Sequence, residues 1–134
     1  MSLKRFGVSL EDELLKTLDT LVIKQQFPNR SQAIRYLIQK TKVEEKWKEN
    51  KIVAGAIVIV YNHHKRELNT KLVDVQHDYH DLILSVQHVH LDHDNCLETI
   101  AVKGKARKLE ELSDKIIGTK GIKHGKLVMT MIEE

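Results

Sequence analysis

The 134-residue chain suffices for one medium domain or two small ones, and its net charge of +3 does not by itself mark a nucleic-acid binder. Hydrophobic residues at 41% are ordinary for a globular protein, but aromatics at 4% are few, so a core short of rings points to further burial by oligomerisation. The sequence has no apolar run of membrane-spanning length, no secretory pattern around Lys4-Arg5 and a single cysteine, which argue against a membrane protein and an internal disulfide and lead us to expect a cytoplasmic location.

The charge is unevenly spread. Through Lys51 there are 11 Lys and Arg against 7 Asp and Glu, and after it 11 against 12. Within the basic part, Phe6, Val8 and Leu10 alternate with Arg5, Gly7 and Ser9 as a short amphipathic strand. Ser9 with Asp12 three residues on predicts a capping-box start for a helix carried by Leu14, Leu15, Leu18, Leu21 and Val22 to about Lys24. Phe27-Pro28 ends it, because a residue before proline avoids the α region. A second helix opens at Asn29-Arg30-Ser31-Gln32, with Asn29 as N-cap, and buries Ala33, Ile34, Leu37 and Ile38. One strand cannot make a sheet, so it requires a partner strand from another chain. Lys42 to Lys51, charged, with Val43 and Trp47 a helical turn apart, reads as a helix extension and linker.

Ile52 to Tyr61 is an almost uninterrupted apolar, β-branched run and predicts a buried central strand. Asn62-His63-His64 follows as a turn. Leu68, Leu72, Val75 and Tyr79 recur at helical spacing over Lys65 to Tyr79. Next come Ile83, Ser85, Gln87, Val89 and Leu91 on one side of a strand and His88 and His90 on the other, the two imidazoles roughly 6.5–7 Å apart along it. Asp92-His93-Asp94-Asn95 is turn-rich, and Cys96 to Val102 returns as a strand. Because side chains alternate, only an odd-numbered loop sets Cys96 opposite His90, and a three-residue loop from Asp92 to Asp94 is predicted. A helix from Ala106 to Ile117 with Leu109, Leu112 and Ile116 inward, glycines 118, 121 and 125 as punctuation, and a last strand from Lys126 to Ile132 complete a βαββαβ order.

His88, His90 and Cys96 supply two imidazoles and a thiolate on one face, a metal-binding set short of a fourth ligand, for which His77 is the leading candidate. The run His88-x-His90-x-Asp92-His93 also matches the signature of metallo-β-lactamase-like hydrolases, although of the further histidines that such enzymes place downstream only His124 follows here.

Arg5 to Leu10, Leu14-Leu15 with Leu18-Asp19, and Asn29 to Arg35 together resemble a ribbon-helix-helix DNA-binding domain. With Val60 to Leu68, Gln76-His77, His88-Val89-His90, Asp94 to Glu98 and Gly121 to Gly125, nearly the whole chain resembles the nickel-responsive transcriptional regulator family. That resemblance implies an α+β protein: a ribbon-helix-helix domain over residues 1–48, then a ferredoxin-like, ACT-type domain over residues 49–134 that binds metal and tetramerises. It implies planar Ni(II) ligands at His77, His88, His90 and Cys96, the His77-type ligand coming from a neighbouring subunit, with Glu98 beside them as an orienting group. It implies DNA contacts through Arg5, Gly7 and Ser9 to bases and through Asn29, Arg30 and Ser31 to phosphate. Gly7 stands where members often carry a side chain, and Gln32 and Tyr36 where members often carry the carboxylates of an accessory cation site.

The expected function is a nickel-sensing repressor, a homotetrameric dimer of dimers that binds a palindromic operator when Ni(II) occupies its core, with no catalysis. The alternative is a metal-buffering or small-molecule-binding module responding to Cu(II) or Zn(II).

Overall fold

Eleven residues rich in valine and isoleucine, Ile52–Asn62, pair on both sides and form the central strand β1. The computed structural model describes residues 2–133. Before β1 come α1 (Asp12–Lys24) and α2 (Arg30–Lys48); after it come α3 (Arg66–Asp78), β2 (Ile83–His90), β3 (Asn95–Lys105), α4 (Ala106–Ile117) and β4 (Ile122–Thr130). The four strands make one antiparallel sheet in the order β2-β3-β1-β4, which is the ferredoxin-like arrangement expected of the βαββαβ pattern.

The chain separates into two compact units, one up to Thr41 and one from Lys42. In the first, residues 2–11 carry no hydrogen-bonded ladder within the chain, and Phe6, Val8 and Leu10 are exposed. The capping box on Ser9 does not form: Glu11 occupies the N-cap of α1 without a side-chain bond, and the first turn relies on Asp12 and Glu13 against the helix dipole. The Asn29 cap does form, its Oδ1 accepting the Gln32 N–H at 2.9 Å. Asn29→Ala is expected to cost about 1 kcal/mol of stability, read as a lower urea midpoint in the absence of DNA. Ala33 is the buried hydrophobe of this unit among the described residues, while Leu14, Ile23, Leu37 and Ile38 remain exposed, so the apolar faces of α1 and α2 require something to cover them.

In the second unit Val53, Ile57, Ile59 and Tyr61 of β1 alternate onto one face of the sheet. There they meet Leu68 and Leu72 of α3 and Leu109, Leu112 and Ile116 of α4. The end of α2 extends the helix to Lys48 as expected, but it belongs to this core and is not a linker. Trp47 is buried and donates its indole N–H to the Thr130 carbonyl at 2.9 Å, and Val43 packs beside it. Asn50, just past the helix with φ 56°, then accepts the Arg107 N–H at 2.9 Å and caps α4 from a distance in sequence.

Two further details differ from expectation. A bulge between Ile83 and Ser85 turns Ile83 toward the helices, opposite Val102 and against the core, away from the face that Gln87 and Val89 share. The last strand begins four residues early. Gly121, at φ +106°, ends the preceding turn, and Gly125 lies inside β4 opposite Ile59, where a Cβ would come within 2.8 Å of Ile117 Cγ1.

Candidate metal centre

The hairpin of β2 and β3 has the register that alternation requires. Leu91 N–H bonds to the Asn95 carbonyl at 2.8 Å, His90 lies across from Cys96, and His88 lies across from Glu98. His90 and Cys96 therefore form a non-hydrogen-bonded pair, the kind whose side chains approach closest. Asp92 fixes the turn between them. Its Oδ1 accepts the N–H groups of Asp94 at 2.9 Å and Asn95 at 2.7 Å, and these bonds, with the one from the Asn95 side chain, hold its carboxyl below the usual carboxylate range.

His88, His90, Cys96 and Glu98 thus share the helix-bearing face, at the β2 edge of the sheet. His88 and His90 are exposed there, with ring centroids 5.5 Å apart, while Cys96 is fully buried and donates its thiol to the Tyr61 carbonyl at 3.4 Å. Burial pushes the Cys96 thiol above its ordinary pKa, and the nearby Glu98 charge acts in the same direction. The three donor atoms do not all lie within 4.8 Å of one another, so closing on one ion requires side-chain rotation. A cleft of about 380 Å³ opens over this face between β2 and α3, with Leu72, Val73 and Gln76 on its helical wall.

Glu98, only 6% exposed, gathers three groups from three elements. Its Oε1 accepts the Tyr61 hydroxyl at 3.2 Å and stands 3.5 Å from His88 Nδ1, and its Oε2 accepts the Gln76 amide at 2.9 Å. Tyr61 Oη is itself 3.4 Å from His88 Nδ1. Burial and the Glu98 charge push the Tyr61 hydroxyl far above its ordinary pKa, so it remains a donor. With Nδ1 of His88 turned toward this carboxylate, Nε2 is directed outward, the way a metal-ligating imidazole is usually oriented from behind. Tyr61 and Gln76 were not anticipated in this role, since they come from β1 and α3 and no local spacing links them to Glu98.

His77 stands apart. It is exposed near the end of α3, its ring 6.1 Å from that of His80, and it does not line the cleft. The hydrolase signature does not gather into one site here, because both carboxylate oxygens of Asp92 are bound to Asn95 within the turn and His93 leans toward His64, ring centroids 5.3 Å apart.

At the other end of the chain, Arg5, Gly7 and Ser9 are exposed, and a Cβ on Gly7 would meet nothing within 4 Å. Arg30 turns its guanidinium to Asp19, Nε to Oδ1 at 2.7 Å and Nη2 to Oδ2 at 2.9 Å, which lowers the pKa of that carboxyl. What Arg30 and Ser31 offer an anion is then their backbone N–H groups in the first turn of α2.

Residues 54–130 match the family of the NikR C-terminal nickel-binding domain, and residues 4–45 match the ribbon-helix-helix proteins of the copG family. The chain belongs to the nickel-responsive regulator family. Relatives named as candidate nickel-responsive regulators are 49% identical in Desulfovibrio desulfuricans (99% of this chain, 96% of the relative) and 50% identical in a Geobacter species (97% and 94%). A third, from Syntrophus aciditrophicus, is 50% identical over 92% of this chain and 90% of its own. An uncharacterized protein of Thermotoga maritima shares the fold over 62% of this chain and all of its own, with a TM-score of 0.50 at 13% identity. The second unit is thus the nickel-binding domain of a regulator, and the first is a DNA-binding domain of ribbon-helix-helix type. No helix among the described residues is long and apolar enough to cross a membrane.

Proposed function

We propose that this chain is a nickel-dependent repressor in which His88, His90 and Cys96 of one subunit and His77 of a neighbour hold Ni(II) in a planar set. The observation that carries this reading is the register of the hairpin, which puts two imidazoles and a thiol on one face with Glu98 behind His88. This donor set fits the family's metal, since imidazole nitrogen and thiolate sulfur are ligand types that Ni(II) takes. When bound, the ion supplies a link between subunits and no reaction.

Assembly into a tetramer accounts for the surface this fold leaves apolar. Leu84, Val86, Val89 and Leu91 are all exposed on or beside β2, an edge strand with one side unpaired in the chain, and Val73 is exposed on the α3 wall of the cleft. A neighbour placed against that edge both covers these residues and carries a His77 to the triad. In the first unit, a second copy pairs residues 5–10 into a ribbon and covers α1 and α2. Arg5, Gly7 and Ser9 then face base edges in the major groove, and the start of α2 faces phosphate.

A selection from random duplex DNA with and without Ni(II) tests the function, and a palindromic consensus recovered only with the metal is the expected result. Arg5→Ala should then lose about 1–3 kcal/mol of affinity for that consensus while random duplex binding changes little. Equal weakening on both would remove the base-reading role, a consensus recovered equally without the metal would remove the nickel dependence, and no consensus under either condition would leave a metal-buffering module as the better reading.

A further inference from the structure

Among the described residues, the one group of three metal-binding side chains with donor atoms within 4.8 Å of one another is His64, His93 and Asp94, which the nickel reading does not use. His64 lies in the turn between β1 and α3, and His93 and Asp94 lie in the hairpin turn between β2 and β3. All three are exposed. His64 Nε2 is 3.7 Å from Asp94 Oδ1, and the His64 and His93 rings meet edge-on with centroids 5.3 Å apart.

We propose that His64, His93 and Asp94 form a second metal site, a solvent-facing one for a divalent first-row cation such as Zn(II), separate from the His88, His90 and Cys96 face. Two imidazoles and one carboxylate are the ligand types that such ions take, and three protein ligands leave the remaining position to water. Metal-ligand bonds of about 2.0–2.2 Å require donor atoms to close further than they stand, which exposed side chains do by rotation.

The turns that carry these groups are already joined. His63 N–H bonds to the Asp94 carbonyl at 3.2 Å, and Asp92 accepts the Asp94 and Asn95 N–H groups, so the backbone under the three side chains is set before any ion arrives. His64 Nε2 lies 3.0 Å from the His93 carbonyl and gives up that contact on coordination. The carbonyl keeps a partner, since His63 Nε2 lies 2.8 Å from it. His63 in turn stacks on His90, centroids 4.3 Å apart and 10° from parallel, so it belongs to the nickel side and is left intact in any test.

The experiment is metal uptake by the full chain, first given one equivalent of Ni(II) and then titrated with Zn(II) under equilibrium dialysis. Wild type should take up a second equivalent per chain; His64→Ala and His93→Ala should not, and Asp94→Asn should take it up more weakly. The thiolate-to-nickel absorption band should be the same in all four proteins. Wild type stopping at one equivalent, or variants matching wild type, would overturn the site. The outcome is separable from the nickel reading: if that band never appears, the nickel ligands are wrong, and the one-equivalent difference between wild type and His64→Ala still reports the second site.

Discussion

Nickel affinity is expected to fall about tenfold for each unit that pH is lowered near neutrality, and more steeply once the imidazoles also hold protons. The sign follows from Cys96. Burial raises its pKa, so the metal-free chain carries a thiol at neutral pH, and because only a thiolate ligates, binding expels a proton that lower pH returns. Competition against a chelator of known affinity at several pH values gives the slope. Cys96→Ala should bind more weakly and lose about one proton from that slope. A wild-type affinity indifferent to pH would mean that sulfur is not a ligand.

How far this centre could be read from sequence depends on how local its determinants are. His88, His90 and Cys96 were placed on one face by alternation and loop parity alone, since a hairpin's register is settled within about a dozen residues of chain. The apolar run of β1 and the periodic face of α4 were legible for the same reason. What pairwise spacing could not reach are contacts between distant segments. Glu98 draws in Tyr61 from 37 residues away and Gln76 from 22, and His64 meets Asp94 across a gap in which nothing is periodic. The same holds for Trp47, whose role in the second unit's core depends on a carbonyl 83 residues later. Glycine misled in the opposite sense. Gly125, expected to punctuate the chain ahead of the last strand, lies within β4 opposite Ile59, where Ile59 and Ile117 leave no room for a side chain.

The ligand that alternation could not assign yields the most decisive expectation: neither His77→Ala nor Cys96→Ala alone should form the planar nickel centre, while a refolded equimolar mixture of the two should. His77 lies exposed near the end of α3, outside the cleft that His88 and His90 line, and an ion held by His88, His90 and Cys96 of its own chain leaves it free to serve another. In a mixed pair, the intact His77 of the Cys96→Ala chain meets the intact triad of the His77→Ala chain, whereas the reciprocal site lacks both. Random reassembly makes about half of the pairs mixed, each with one complete site of two, so about a quarter of the wild-type absorption should return. Restoration would make nickel binding inseparable from subunit contact, because the ion then bridges two chains and stabilises their association by its own binding energy. If mixing restores nothing, and each single variant is still assembled by sedimentation, all four ligands belong to one chain and the intersubunit link proposed here is wrong.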